Sequence, residues 1–428
     1  MSRPLAVVCL AAGLGKRTKV SIPKVLLPLC GRTLLGCSLD ATDALRPQHT
    51  IVVVHHQKEL VEKEVSSRKG IVCVDQGKPM GTGHAVKMAM QALSDFDGDV
   101  LVTYGDCPLI TTETLQMLRE SMEDSVCAVL TTFQDDPTGL GRILRDEDDN
   151  FVGIREHRDC TEEESLIDEV NTGFYCFDSS ALRRALLKLK PDNAQGEYYL
   201  TDVIAQFADQ DLNPVTFTLE DGYETIGVNS LVELGIARAR MQERILMRHL
   251  SNGVMITDPA TTHIDHDVEI GPETKILPFT VIGSGCKVGR GCEVGPFAHL
   301  RAGTVLEDGA EIGNFVEAKK TRVGAGSKAK HLTYLGDAVI GKNANIGAGT
   351  ITANYDGARK HETKIGDGCF VGSGTVIVAP SQLGARSMTG AGAIVKRDSV
   401  IGDEEVWVGI PAKLLKRRDP STIKKESR

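Results

Sequence analysis

Rings are scarce in this chain: aromatic residues make up 4% of 428, with a single Trp. That scarcity excludes a core built around large rings and suits a narrow one. The 11 cysteines contain no CxxC pair, and their odd number and scattered spacing argue against a disulfide framework or a zinc site. Reduced thiols point to the cytoplasm. There is no excess of positive charge. Lys and Arg number 49 against 58 Asp and Glu, a net charge of -9, which argues against nucleic acid or an anionic membrane as the main partner. Anionic small molecules then need locally basic pockets. No apolar run is long enough to cross a bilayer. The apolar stretch Leu5 to Ala12 is short and is followed at once by Lys16, Arg17 and Lys19, so it reads as a buried strand rather than a signal peptide.

What the chain does have is a period of six. Aliphatic residues recur at Ile264, Ile270, Ile276, Ile282, Val288, Val294, Leu300, Leu306 and Ile312. The phase slips by one before Val323 and again before Ile340. It slips further between Thr352 and Ile365, then resumes through Val371, Ile377, Leu383, Val395 and Ile401. The fifth position of each step is small: Thr274, Thr280, Cys286, Cys292, Ala298, Thr304, Ala310. One hexapeptide supplies a short strand and a turn, and three close a triangular coil. A coil cannot bury its own face, so many must stack. The run predicts a left-handed parallel β-helix of roughly seven coils.

The first half reads differently. Apolar strands at 5–10, 50–54, 71–74, 100–104, 126–131 and 170–177 alternate with helical patterns. This predicts a Rossmann-like α/β domain with a mostly parallel sheet and a ligand at the carboxyl ends of its strands. Gly13-Leu14-Gly15 and Gly105-Asp106 fall at such ends. A glycine loop there can bring backbone N–H groups to phosphates, and Lys24 after Pro23 can neutralise one. The expected divisions are residues 1–229 for this domain, 230–252 for a linker helix, 253–412 for the β-helix and 413–428 for a basic tail.

The string from Leu10 through Gly13, Arg17 and Pro23-Lys24 resembles the signature of sugar-nucleotide pyrophosphorylases. Further strings extend the likeness: Gln76 before Gly81-Thr82-Gly83-His84-Ala85, Tyr104-Gly105-Asp106, Gly141-Arg142-Ile143, Glu156-His157, Asn171-Thr172-Gly173, Gln195 to Asp202, and Gly227-Val228-Asn229. Together with the β-helix, these are similar to the bifunctional N-acetylglucosamine-1-phosphate uridyltransferase / glucosamine-1-phosphate acetyltransferase family, over nearly the whole chain. The resemblance implies synthesis of UDP-N-acetylglucosamine, a peptidoglycan precursor, from glucosamine-1-phosphate, acetyl-CoA and UTP by way of N-acetylglucosamine-1-phosphate. It also implies a cytoplasmic homotrimer with neither nucleic acid nor membrane as partner.

It implies residue roles as well. Leu10, Ala11, Ala12 and Gly13 would bind the nucleotide, Arg17 and Lys24 the triphosphate, and Gln76, Gly81 and Thr82 the uracil. Asp106 and Asn229 would hold Mg²⁺, and Tyr104 and Gly105 belong to the same site. Gly141, Glu156 and Asn171 would bind N-acetylglucosamine, with Tyr199 and Thr201 lining the pocket. In the second half His331 would be the general base, with Glu317 to orient it. Arg301, Lys319 and Lys360 would clamp the sugar phosphate, and Tyr334 and Asn345 would bind the sugar. Ala348, Asn354, Tyr355, Ser373 and Ala391 would contact acetyl-CoA. The break in the hexads from Asn354 to Lys360 predicts a loop that leaves the helix wall, where function tends to sit.

The chain departs from the family's pattern in three places. Gly15-Lys16-Arg17-Thr18 stands where Gly-Thr-Arg-Met is usual, the β-helix before Pro296 is shorter, and an Arg near Gly409 that meets CoA is absent. A narrower reading therefore keeps uridylyl transfer alone, with the β-helix as a trimerising scaffold. A non-enzymatic reading, after translation-factor subunits that pair the same folds, sits badly with the presence of Lys24 and Asp106.

Overall fold

A computed structural model of the chain describes residues 3–13, 15–123 and 125–417, the side chain of Lys16 excepted. Leu14 and residues 418–428 of the expected basic tail lie outside the described residues. The chain forms two units, Met1–Arg240 and Met241–Arg428. The helix Leu231–Ser251 spans the boundary between them.

In the first unit the strand Leu5–Leu10 is buried along its whole length. Its continuous aliphatic run suits a strand covered on both faces. Asp99–Tyr104 and His49–Val54 flank it in parallel register, and Ile71–Asp75 continues the parallel set. On the other side Glu169–Asp178 runs antiparallel to both Asp99–Tyr104 and Cys127–Phe133. Val215–Leu219 closes that edge, parallel to Cys127–Phe133. The reversal brings the start of Glu169–Asp178 to the edge where the parallel strands end: Asn171 pairs with Thr131 and with Gly141. Helices at Leu34–Asp43, Thr82–Gln91 and Thr112–Glu120 carry the chain between strands.

The second unit is a left-handed parallel β-helix of three sheets. One face runs from Met255–Ile256 to Glu405–Val408, a second from His263–Ile264 to Ile394–Val395, and a third from Glu269–Ile270 to Val400–Ile401. The second and third faces have eight strands each, one coil more than the hexads suggest. The stack starts at Met255–Ile256, before the first clear aliphatic repeat. The phase slips are coil-length changes. Val288 to Leu306 spans eighteen residues, Leu306 to Val323 and Val323 to Ile340 seventeen each, and Ile340 to Ile365 twenty-five. The last absorbs the ejected loop. Inward threonines do more than fill space. Thr304 is fully buried and donates its hydroxyl to the carbonyls of Arg301, 2.7 Å away, and Ala318, 3.1 Å away, pairing corner groups that would otherwise be orphaned. Lys413–Arg417, expected to begin a plain tail, folds back as an exposed antiparallel strand on Glu405–Val408. None of the eleven cysteines is in a disulfide. Among the described residues no helix is long and apolar enough to cross a membrane.

Candidate active sites

The first unit carries a cleft of about 950 Å³ along the edge where the parallel strands end. Of the residues expected there, Leu10, Ala11, Ala12, Gly13, Arg17, Lys24, Gln76, Gly81, Thr82, Tyr104, Asp106, Gly141, Glu156, Asn171 and Asn229 all line it. Gly105, Tyr199 and Thr201 stand behind the wall. Thr201 donates to Glu156 Oε1 at 3.1 Å, and the Tyr199 hydroxyl accepts from Gln195 at 2.7 Å.

The strongest feature is a convergence of three side chains from distant parts of the chain. Lys24 Nζ forms an ion pair with Asp106 and donates to Asn229 Oδ1 at 2.7 Å. Two hard oxygens, one anionic and one an amide, are thus aimed at a single cation position, now taken by an ammonium. That donor set fits a divalent cation such as Mg²⁺, which accepts few protein ligands and keeps waters. Among the described residues no group of three or more His, Cys, Asp and Glu is placed to hold a metal ion, so the protein would supply only part of such a cation's shell. Lys24 also backs the glycine loop. A Cβ on Gly15, whose φ is +58°, would come within 3.2 Å of Lys24 Cβ. Thr18 is buried and donates to Gly15 O at 2.7 Å, so this departure from the family pattern pins the loop from within.

On the opposite side Gln76 is buried and donates to Gly81 O at 3.1 Å. Gly81 has φ +103°, and a Cβ there would lie 2.5 Å from the carbonyl oxygen of Tyr198, so only glycine fits. Asn171 donates to the Tyr175 hydroxyl at 2.7 Å and accepts from Gly173 N at 3.0 Å. Burial raises the Glu156 carboxyl above the usual range, and the nearby carboxylates of Asp202, Asp159 and Glu197 push the same way. Burial likewise raises the Tyr104 hydroxyl and the Cys107 thiol, leaving Cys107 a poor nucleophile.

Sequence reasoning missed Glu233, Glu197 and Gln134, which also line the cleft. Glu233 accepts from the backbone N–H of Asn229 at 2.6 Å and from the Ser230 hydroxyl at 3.1 Å. The signal was there: Ser230 to Glu233 is a capping box at the start of Leu231–Ser251.

In the second unit the coil register assembles the cationic group. Arg301 and Lys319 are neighbours across the second face, followed by Gly336. The ammonium of Lys360 on the ejected loop, with Arg301 behind it, holds Lys319 below the usual lysine range. Arg301, Lys319 and Lys360 gather three cations, with the Asp337 carboxylate acting on Lys319. Glu317 accepts from Arg301 at 2.7 Å. This differs from the expectation that Glu317 orients His331. Glu317 lies in register with Tyr334 on the second face, whereas His331 pairs with Asn314 on the first. His331 is exposed at the end of Lys328–His331, and Tyr334 opens the next strand across the same corner. Asn345 lies in register with Lys328 on the first face.

Ala348, Ser373 and Ala391 form one column. Gly374 N donates to Ala348 O at 2.7 Å, and Gly392 N donates to Ser373 O at 2.8 Å. The column continues the His331 corner, where Gly349 N donates to His331 O at 3.4 Å. In earlier coils this corner carries Phe279, Phe297, Phe315 and Leu332, all exposed. Beyond His331 its residues shrink to Gly349, Gly374 and Gly392, so the surface steps down into a narrow shelf. Asn354, Tyr355 and Lys360 are not part of that shelf. They follow the strand Ile351–Ala353 and so stand at the other corner of the same face. The loop is rooted by Asn354 on Asp337 and by Asp356, which engages His361 Nε2 at 2.7 Å and Arg397 at 3.4 Å.

Residues 7–210 match the model of the MobA-like NTP transferase domain. Over nearly its full length the chain is similar to curated proteins named bifunctional protein GlmU. The one from Paenarthrobacter aurescens is 41% identical, with 93% of this chain and 88% of that protein covered. For Geotalea daltonii the figures are 41%, 92% and 94%. For Synechococcus sp. they are 40%, 96% and 98%. Similarity at this level, running through both units and both candidate sites, makes the chain a member of the bifunctional GlmU family.

Proposed function

We propose that the chain makes UDP-N-acetylglucosamine in two steps at two separate sites, with residues 1–229 as the uridylyltransferase and 253–412 as the acetyltransferase. The observation that carries the first step is the convergence of Lys24, Asp106 and Asn229 in a cleft edged by Gly13 and Arg17. A phosphate oxygen of N-acetylglucosamine-1-phosphate attacks the α-phosphorus of UTP. The bond from that phosphorus to the bridging oxygen breaks, and pyrophosphate leaves. No enzyme intermediate is needed, so the protein positions the reactants and neutralises charge. Arg17 and Lys24 bind phosphate oxygens, and Gln76, Gly81 and Thr82 hold the base. Gly141, Glu156 and Asn171 hold the sugar. Asp106 and Asn229 are the ligands for Mg²⁺, which when bound supplies further neutralisation of phosphate charge.

The second site acts on glucosamine-1-phosphate. Arg301, Lys319 and Lys360 bind its phosphate, and Tyr334 and Asn345 the sugar. His331 takes the amine proton as nitrogen bonds to the thioester carbon. The C–S bond then breaks, and CoA leaves as the thiol after regaining a proton. Ala348, Ser373 and Ala391 line the path of acetyl-CoA. Asn354 and Tyr355 stand at the opposite corner of the face, which supports a site completed between chains of a homotrimer. The eleven cysteines, none of them in a disulfide, support a cytoplasmic enzyme.

Paired assays on the full chain test this reading. CoA release from acetyl-CoA and glucosamine-1-phosphate, and pyrophosphate release from UTP and N-acetylglucosamine-1-phosphate, are both expected. Uridylyl transfer without acetyl transfer would leave the β-helix as a scaffold. A monomer in sedimentation that still transfers acetyl groups would remove the shared site.

A further inference from the structure

Arg142 is 1% exposed, among the largest fully buried side chains in the molecule. Its partners are carbonyls and an imidazole, and none is a carboxylate. Nη1 donates to Pro137 O at 2.8 Å and to Leu140 O; Nη2 donates to Ser165 O at 3.5 Å and faces His157 Nδ1 at 3.4 Å. Nε has no partner. A buried guanidinium with no carboxylate bonded to it, and with the exposed Asp136 near enough only to feel its charge, is costly, and an apolar side chain of similar volume often serves stability as well or better. Packing alone therefore does not account for an arginine here.

The position of the two groups of partners does. Leu140 N donates to Pro137 O, so residues 137–140 form a turn, and Nη1 holds both ends of it. Thr138, Gly139, Leu140 and Gly141 from that turn line the cleft. His157 directly follows Glu156, which also lines the cleft, just beyond the strand Phe151–Arg155 that pairs Arg155 with Arg142. Gly141 pairs with Asn171. The guanidinium thus ties together two loops that carry the sugar-side groups, and touches none of the nucleotide-side residues.

We propose that Arg142 is a positioning residue for the sugar-phosphate half of the cleft, fixing the separation between the 137–141 wall and Glu156. The proposal rests on the uridylyl reading above. Arg142→Met keeps the volume and removes the tie. In purified full-length protein, a melting temperature at or above wild type is expected, with the KM for UTP within a factor of about two and the KM for N-acetylglucosamine-1-phosphate raised about tenfold, a displacement of the walls by a fraction of an ångström being enough for that. Arg142→Lys should fall between the two, and millimolar methylguanidinium should restore part of the loss in Arg142→Ala, which leaves space for it. A stable Arg142→Met protein with an unchanged KM for the sugar phosphate, or with both KM values raised alike, overturns the proposal. Should Arg142→Met fail to fold, His157→Ala cuts one side of the tie alone. A smaller rise in the same KM supports the positioning role, and no rise overturns it. Wild type that releases no pyrophosphate from UTP and N-acetylglucosamine-1-phosphate sinks the uridylyl reading itself, which separates that failure from this one.

Discussion

The cleft of the first unit and the wall of the β-helix hold their polar groups in opposite ways. In the cleft, partners come from far apart in sequence: Lys24 and Asn229, 205 residues apart, share a hydrogen bond. These groups are largely buried and mutually engaged, so the site is preorganised by its own contacts. On the β-helix, polar neighbours are one coil apart, as Arg301 and Glu317 are, at 16 residues. The repeat lays them out in rows on an exposed surface. A solenoid wall has one layer, so it can align groups but cannot enclose them. On the proposed reading, enclosure comes from the ejected loop at Asn354 to Lys360 and from another chain. The cleft is expected to lose function by degrees as its contacts are trimmed, and the wall abruptly when a single exposed group is removed.

The largest expected effect lies on the wall. His331 stands exposed at the end of its strand and is the base proposed for acetyl transfer. His331→Ala should lower acetyl transfer by about 10²- to 10⁴-fold, mainly in kcat, and leave uridylyl transfer unchanged. Activity within a factor of about two of wild type would fall below the general-base range and show that the base is elsewhere. In the cleft, Asp106→Asn removes the one carboxylate from the cation site and leaves Lys24 with two amide oxygens. Uridylyl transfer should fall by about 10²- to 10³-fold while acetyl transfer persists. Wild-type uridylyl rates across a Mg²⁺ titration would remove Asp106 from the metal site.

These two variants also mark what could be read from sequence. The β-helix was legible because its period is the fold: each aliphatic residue falls where a coil needs one, and even the slips before Val323 and Ile340 turn out to be coils one residue short. The direction of Glu169–Asp178 was not legible, since apolar runs carry no information about pairing sense. In the cleft, local strings such as Gly13 to Lys24 and Gly105-Asp106 pointed to the right edge of the sheet. Groups whose meaning depends on distant partners were missed. Glu233 matters because it holds Asn229, and Arg142 because two loops close around it. Glu317 was tied to His331 by the family likeness, whereas in the structure it accepts from Arg301 on the preceding coil. In a coil the relevant neighbour lies one turn away.

A milder variant sharpens the comparison inside the cleft. Glu233 fixes the backbone of Asn229 from outside the cation site, so its loss should be felt as a displaced ligand rather than a missing one. Glu233→Ala should cost about 1 kcal/mol of local stability, as loss of a helix cap does. The Mg²⁺ concentration for half-maximal uridylyl transfer should rise about fivefold, the factor that such an energy represents. Glu233→Gln keeps an accepting oxygen and should behave nearly as wild type. If Gln and Ala were equally impaired, the carboxylate charge rather than the cap would be what matters, and Glu233 would belong with Asp106.

The smallest effect concerns acid, where the two units should respond with opposite sign. Glu156 in the cleft has its folded carboxyl raised above the ordinary range by burial. A group of that kind favours the folded state when protonated, so its contribution is fully present at acid pH and is lost as pH rises through the folded value. His249, near the end of Leu231–Ser251, is the reverse case. It is 4% exposed and its Nε2 has no partner. Burial, and then the charge of Arg248, lower it from 6.5 to about 4. The folded state therefore holds the neutral ring. The stability this gives is intact above 6.5 and is lost as pH falls from there toward about 4, because the unfolded chain takes up the proton first. Protection of the amides over Ile245 to Val254, measured relative to their intrinsic exchange rate at each pH, should fall across that window in wild type. The same amides in His249→Leu, which has no proton to gain, should show a flatter profile, while cleft amides around Glu156 follow the opposite trend in both proteins. Parallel profiles for wild type and His249→Leu would show that the acid response of this helix end is set by other groups.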